Sequence, residues 1–193
     1  MDKDNYKYDV AFSFLAKDEM LATELNDLLQ DRLTTFLYSK KQEELAGTDG
    51  EKTFNSAFGE QASLVAVLYR EGWGDTPWTR IEQTAIKNRA FNEGYDFVIF
   101  IPLDQPASVP KWLPKTQLWV GLERWGKTGA ASVIEARVQE LGGSPHIETV
   151  EEQAKRLERA INFKKEKEQF LRSHEGVNRS NEEFSGLGDE LER

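Results

Sequence analysis

The segment Trp78-Thr79-Arg80-Ile81-Glu82 holds the side chains with the clearest chemical potential in this sequence. Glu82 follows Trp78 by four residues, so a helix would place the two on one face. Trp78, Ile81 and Ala85 recur at the spacing of an apolar helix stripe, and Glu82 lies at the border of that stripe. Because buried carboxylates are rare unless they are paired or used, a glutamate at this border needs an explanation.

The residues around this segment predict the helix that carries it. Asp75 or Thr76 suits the N-cap position, and Pro77 suits the first helical position, where a missing N–H costs nothing. The helix is expected to run from Pro77 to about Asn92.

Short apolar runs alternate with amphipathic helices along the first three quarters of the chain. The predicted strands are residues 8–14, 34–38, 62–69, 95–101 and about 117–122, and the predicted helices are residues 19–32, 51–60, 77–92 and about 130–141. Such alternation is typical of a parallel sheet with right-handed crossovers and helices on both faces. We therefore predict an α/β fold of the flavodoxin-like class, with a five-stranded parallel sheet in the order 2-1-3-4-5.

This strand order predicts a ligand crevice outside the carboxyl ends of the first and third strands. Those ends carry Ser13-Phe14 and Tyr69-Arg70, and Glu82 belongs to the helix that follows the third strand. For the helix alone, a partly solvated Glu82 paired with Lys87 or Arg89 would be a sufficient explanation. The position beside the crevice favours a role in ligand chemistry instead.

Composition excludes several classes of function. The net charge of −9 argues against general binding to nucleic acid or to anionic membrane. The sequence after Met1 has no apolar run, and no segment approaches the ~20 apolar residues that span a bilayer, so we expect a cytoplasmic protein without a membrane anchor. The chain lacks cysteine, and His146 and His174 lie outside the predicted sheet, so no metal site is predicted.

The chain divides into two parts of different character. Residues 1–145 carry the predicted sheet and its helices, whereas residues 146–193 are dense in Glu, Lys and Arg with few apolar side chains. We predict that the second part is a charged helical tail or linker that adds little to the core.

Three segments carry a resemblance to a known family. Tyr8-Asp9-Val10-Ala11-Phe12-Ser13-Phe14 resembles the first conserved box of Toll/interleukin-1 receptor (TIR) domains. The polar loop Ser39–Gly50 is similar to their mobile loop between the second strand and the second helix. Trp78-x-x-x-Glu82 resembles the tryptophan–glutamate pair of the bacterial, plant and axonal TIR enzymes that cleave NAD⁺. The resemblance covers roughly residues 6–142 and keeps the order of elements.

The resemblance implies roles for particular residues. Glu82 would be the catalytic glutamate, and Trp78 would exclude water or stack on a base of the substrate. The loop Ser39–Gly50 would cover the substrate and contribute to self-assembly.

Four further positions follow from the same resemblance. Phe14 and Leu15 would flank the nicotinamide side of the pocket, and Lys40 and Ala46 would lie on the covering loop. The chain departs from some family enzymes in having Leu15-Ala16 where they carry a basic residue after the first strand.

The function that the resemblance implies is cleavage of the nicotinamide–ribose bond of NAD⁺, with NAD⁺ as substrate and no cofactor. The products would be nicotinamide and ADP-ribose or a cyclic isomer, and the setting would be bacterial antiphage defence. Partners would be further TIR surfaces and an effector or sensor protein. The main alternative is a non-enzymatic TIR scaffold that signals by homotypic assembly, and a more distant one is a nucleoside-processing enzyme of similar sheet topology.

A shortened chain tests the predicted division. Residues 1–150 produced alone should unfold cooperatively on heating, because residues 151–193 are too polar to add much to a core. Circular dichroism during a thermal scan measures the transition. Loss of the cooperative transition in residues 1–150 would show that the tail packs against the sheet domain.

Overall fold

The computed structural model of the protein describes residues 6–41, 43, 47–143, 154 and 158. In these residues one sheet contains the strands β1 (Tyr8–Phe14), β2 (Thr35–Phe36), β3 (Ala62–Tyr69) and β4 (Val98–Pro102). All three strand pairings are parallel, and the order across the sheet is β2-β1-β3-β4. The predicted α/β class and the parallel sheet are therefore confirmed.

Helices pack on both faces of this sheet. They are α1 (Glu19–Leu29), α2 (Gly50–Ser56), α3 (Pro77–Glu93) and α4 (Leu122–Glu140). Buried side chains of α1 and α4 share one apolar cluster with the sheet, whereas those of α2 and α3 share another. The crossover after β1 and the crossover after β3 thus lie on opposite faces, and a crevice opens where two adjacent strands diverge in this way.

The fifth strand predicted at residues 117–122 is not observed. Residues 117–121 run outside any helix or strand, and α4 already begins at Leu122. The Val120 N–H donates to the Phe100 carbonyl of β4 at 2.9 Å, and Val120 is buried. Leu118 and Trp119 are exposed, so this segment offers too few buried residues to extend the sheet.

Two other strands and the second helix are shorter than predicted. Strands 34–38 and 95–101 were expected, whereas β2 covers Thr35–Phe36 and β4 covers Val98–Pro102. The second helix was expected over residues 51–60, but α2 ends at Ser56 and a π-helical turn, Ala57–Gln61, joins it to β3.

Arg89 fixes α3 to the amino end of β3. Its guanidinium is buried, donates to the Ala62 carbonyl at 2.6 Å and stacks over the Phe97 ring at 4.0 Å. The same group also donates to Glu93 and to the Tyr6 hydroxyl, each at 3.1 Å. A buried guanidinium with all of these partners sets both the position and the rotation of the helix.

Arg70 joins three segments at the carboxyl edge of the sheet. It follows β3, donates to Asp18 at 2.7 Å and donates to the Leu103 carbonyl at 3.2 Å. It also donates to Asp104 at 3.1 Å, and Asp104 in turn accepts the backbone N–H of Glu71 at 2.6 Å. These bonds tie together the segments that follow β1, β3 and β4.

The chain separates into two units, residues 1–147 and 148–193. In the second unit the described residues are Ala154 and Glu158, which are helical and exposed. The predicted tail otherwise lies outside the described residues, as do His146 and His174. Within the described ranges, no helix combines the length and the apolar content needed to cross a bilayer.

Substitution of Arg89 tests its anchoring role. Arg89→Met keeps an apolar stem but removes the donor to the Ala62 carbonyl, so the free energy of unfolding should fall by roughly 2–3 kcal/mol. Urea denaturation measures the change. Arg80→Met on the exposed side of the same helix is the matched control and should cost less than about 0.5 kcal/mol. Equal losses in the two variants would contradict the anchor.

Candidate active site

The start of α3 places Glu82 at the crevice between β1 and β3. Thr76 is the N-cap, and its hydroxyl accepts the Thr79 N–H at 3.2 Å. Pro77 occupies the first helical position, as predicted. The Thr79 hydroxyl accepts the Gly74 N–H at 3.0 Å, so the loop before the helix folds back onto its first turn. Glu82 follows in the second turn.

The buried side of α3 differs from the predicted stripe. Trp78, Ile81 and Ala85 were expected to face the core, but Trp78 is 54% exposed and Ile81 is only half-buried. Ala85 is buried as predicted, but the other buried residues of the helix are Thr79, Glu82, Ile86, Arg89 and Ala90. Glu82 therefore lies in the middle of the buried face and not at its border.

Glu82 is buried with a single hydroxyl as its partner among the described residues. It is 6% exposed, and its Oε2 accepts a hydrogen bond from Ser13 Oγ at 2.5 Å. Burial raises the pKa of the Glu82 carboxyl to about 8, although the Ser13 hydrogen bond acts in the opposite direction. The alternative pairing with Lys87 or Arg89 does not occur, since Lys87 lies over Trp112 and Arg89 bonds elsewhere.

Trp73 lies behind this pair. Its indole N–H donates to Ser13 Oγ at 2.9 Å. Its ring is buried and makes T-shaped contacts with the rings of Tyr69 and Phe100. Gly72 and Gly74 on either side have φ values of +91° and +96°, which L side chains rarely adopt. These two glycines allow the tight loop that turns the indole inward.

A cavity of about 300 Å³ opens in front of Glu82. Aromatic and apolar side chains dominate its wall, and its polar groups are few, which is the usual composition of a small-molecule site. The lining residues are Phe12, Phe14, Leu15, Ala16, Glu19, Tyr38, Ser39, Phe54, Thr76, Trp78, Thr79 and Glu82. Trp78 packs on Phe54 at the cavity wall with ring centroids 5.6 Å apart.

The structure brings together most of the residues singled out in the sequence. Phe14, Leu15 and Trp78 line the cavity with Glu82. Lys40 does not line it, because its ammonium contacts the carboxylate of Asp27 and the amide oxygen of Gln30 on the side of α1. Ala46 lies outside the described residues, as do residues 42, 44 and 45 of the predicted covering loop.

Sequence reasoning missed two side chains: Ser13, which bonds to the Glu82 carboxyl, and Trp73, which bonds to Ser13. Ser13 was named only at the end of a strand, and Trp73 was assigned no role. The available signal was a polar residue within an otherwise apolar strand, together with a tryptophan between two glycines directly after β3. The Ser39 hydroxyl was also missed: it is buried in the cavity wall and has no hydrogen-bond partner in the part of the chain that the structure describes.

Larger grooves exist elsewhere on the surface. One of about 930 Å³ lies near Trp119 and Trp125, at the start of α4. We assign the candidate site to the smaller cavity because its wall contains a buried carboxyl with a perturbed pKa at the switch point of the sheet. Among the described residues, no cluster of three or more histidine and carboxylate side chains could hold a metal ion.

The fold and site together define a doubly wound α/β domain with the buried carboxyl of Glu82 in a cavity at its switch point. Comparison with protein-family models and with curated proteins found no match for this chain.

The buried carboxyl predicts a specific dependence of stability on pH. Glu82 has a pKa of about 8 when folded against an ordinary value of 4.5. As pH rises from 4.5 to 8 the unfolded chain loses this proton first, so Glu82 lowers the free energy of unfolding progressively across that range. The expected contribution is on the order of 3 kcal/mol between pH 5 and pH 8.

Glu82→Gln isolates this contribution, because glutamine does not titrate. Urea denaturation at several pH values should show wild type losing stability relative to Glu82→Gln as pH rises. If the two proteins kept a constant difference from pH 5 to pH 8, Glu82 would titrate in its ordinary range and the buried neutral carboxyl would be refuted.

Proposed function

We propose that this chain is a TIR-type NAD⁺ hydrolase or cyclase in which Glu82 acts on the nicotinamide–ribose bond. The observation that carries the proposal is a buried carboxyl facing a small aromatic cavity at the switch point of a parallel sheet. The positions of Trp78, Phe14 and Leu15 around that cavity support it further.

The reaction suits a site with one buried carboxyl. When the bond between ribose C1′ and the nicotinamide nitrogen breaks, its electron pair stays on nitrogen and nicotinamide leaves as a neutral molecule. No general acid is needed, whereas ordinary glycosidases use two carboxylic groups. Positive charge moves to the ribosyl ring, and either water or a nitrogen of the adenine base then forms the new bond to C1′. Addition of water releases one proton.

The carboxylate form of Glu82 would stabilise the ribosyl cation. At ~4 Å and an effective dielectric of about 20, opposite unit charges attract by roughly 4 kcal/mol. If that energy is gained only in the transition state, the rate rises on the order of a thousandfold. The second carboxyl at the cavity, Glu19, is exposed, so it does not share the desolvated position of Glu82.

Because the pKa of Glu82 is raised, binding of the substrate is coupled to loss of the Glu82 proton. With a pKa of about 8, roughly a tenth of the free protein carries the carboxylate at pH 7. The nicotinamide ring of NAD⁺ is positively charged, so its arrival beside Glu82 favours loss of the proton. Productive binding would therefore release a proton at neutral pH.

The size of the cavity indicates which part of the substrate enters. A volume of about 300 Å³ lies at the lower end of the range for ligand pockets and suits one nucleoside half of a dinucleotide. We assign the nicotinamide riboside half to the cavity, between the aromatic wall and Glu82. The Ser39 hydroxyl, buried without a described partner, is a further group that a ribose hydroxyl would satisfy.

The biological setting is proposed from the resemblance alone. It consists of antiphage defence in the bacterial cytoplasm, self-association through TIR surfaces, and an effector or sensor partner. A non-enzymatic scaffold would share the fold and the self-association but would release no nicotinamide.

The test is NAD⁺ cleavage by concentrated protein, with nicotinamide measured by liquid chromatography across pH 6 to 9. For wild type, kcat/KM should rise about tenfold per pH unit and level off near pH 8, because the free protein must lose the Glu82 proton. Glu82→Gln should lower kcat/KM on the order of a thousandfold while unfolding cooperatively.

Glu60→Gln is the matched control, because Glu60 is exposed and lies outside the cavity wall. It should cleave NAD⁺ at the wild-type rate. Unimpaired cleavage by Glu82→Gln would overturn the mechanism, and a wild type that releases no nicotinamide over this range would favour the scaffold.

A further inference from the structure

Ser13 lies between two side chains of fixed hydrogen-bonding character. The indole N–H of Trp73 can only donate, and Ser13 Oγ receives it at 2.9 Å. A hydroxyl carries one proton, and Glu82 Oε2 at 2.5 Å is the acceptor that the described residues offer it. When Glu82 is a carboxylate, which can only accept, the direction of both bonds is fixed: Trp73 donates to Ser13, and Ser13 donates to Glu82.

We propose that Trp73 and Ser13 are positioning residues for Glu82: Trp73 holds the Ser13 hydroxyl as an obligate donor, and this donor orients the carboxylate toward the cavity. The effect on catalysis rests on the proposed function, whereas the effect on Glu82 itself does not.

We call the hydrogen-bonded series Trp73–Ser13–Glu82 the relay. Its side chains are held in rigid surroundings, which orientation of the carboxylate requires. Ser13 is fully buried within β1, opposite Val67 of β3, so its backbone cannot move independently of the sheet. Trp73 is buried between Tyr69 and Phe100, and its backbone is bent by glycines on both sides. Each polar group of the relay is buried and each finds its partner, which is the condition under which such a network specifies one geometry.

The relay also lowers the pKa of Glu82 and so acts against burial, which raises it. A donated hydrogen bond favours the carboxylate over the neutral acid, and in a series of two donors the first polarises the second. The other titratable side chains on the cavity wall are Glu19 and Tyr38. Neither is a cause of the raised pKa of Glu82, which follows from burial and the Ser13 bond.

The experiment is a pH titration of the Glu82 side-chain carboxyl by carbon-13 NMR in uniformly labelled full-length protein. The resonance is assigned by its loss in Glu82→Gln. Ser13→Ala should raise the titration midpoint by about one pH unit, because the donor to the carboxylate is gone. Trp73→Phe keeps an aromatic ring but removes the N–H, and it should raise the midpoint by a smaller amount.

A double variant separates a relay from simple packing. If Trp73 acts through Ser13, Trp73→Phe should leave the midpoint unchanged in the Ser13→Ala background. An equal increase in both backgrounds would overturn the relay, and so would a Ser13→Ala midpoint equal to that of wild type. Should Trp73→Phe fail to fold, Ser13→Cys decides: a thiol is a weaker donor of similar size, so its midpoint should lie between those of wild type and Ser13→Ala.

NAD⁺ cleavage provides the second readout. Ser13→Ala should lower kcat/KM about tenfold at pH 7, and the loss should shrink toward pH 9.5 as Glu82 ionises in the free protein. A loss that is constant with pH would overturn the proposed link between the hydroxyl and the carboxylate. A wild type that cleaves no NAD⁺ would refute the proposed function, whereas the NMR titration would still decide the relay.

Discussion

One hydrogen bond, from Ser13 to Glu82, is the interaction on which the candidate site depends. An isolated carboxylate in an apolar interior is strongly disfavoured, and this chain offers Glu82 a hydroxyl and no cation among the described residues. The result is a carboxyl that is mostly neutral at pH 7 when the site is free, and whose orientation follows that of a strand in the centre of the sheet. The crevice, the aromatic wall and the loop around Trp73 are arranged about that contact.

The neutral resting state has a physical use. A permanently charged glutamate would be hydrated, and water would compete with a substrate for the cavity. A protonated carboxyl bonded to Ser13 costs less to desolvate and becomes charged when a cation arrives. The site would in this way respond to the charge of its ligand as well as to its shape, favouring a cationic ligand over a neutral one of the same shape.

The sequence predicted most of the sheet and the place of the site within it. β1 and β3 were predicted at the bounds observed, because both are apolar runs buried on two faces, and α3 was predicted within a residue because Thr76 and Pro77 define its start. The buried side of α3 was predicted only in part. Ala85 is buried as predicted, but so are Thr79 and Arg89, which periodicity counts as solvent-facing, and Glu82, which it placed at the border. Glu82 and Arg89 are buried because Ser13 and Ala62, from distant segments, satisfy them. Thr79 bonds instead to its near neighbours Gly74 and Thr76.

The other failures have the same origin in contacts between distant segments. The apolar run near residue 120 resembles a strand, yet it contributes one backbone bond to β4 before a helix begins. Lys40 was expected near the substrate from its place in a loop, but Asp27 on α1 binds its ammonium. Neither the partner of Glu82 nor that of Lys40 can be read from spacing along the chain.

The two buried polar anchors of α3 also restrict the length of the chain between them. Glu82 bonds to Ser13 near the end of β1, and Arg89 bonds to Ala62 at the start of β3, so the helix is held at two points seven residues apart. Seven residues make almost two turns and span about 10 Å, which brings both side chains to the same face. One inserted or deleted residue would turn one anchor about 100° away from its partner. Evolution at this helix is therefore confined to substitutions, and any gain or loss of residues must occur outside the stretch between the two anchors.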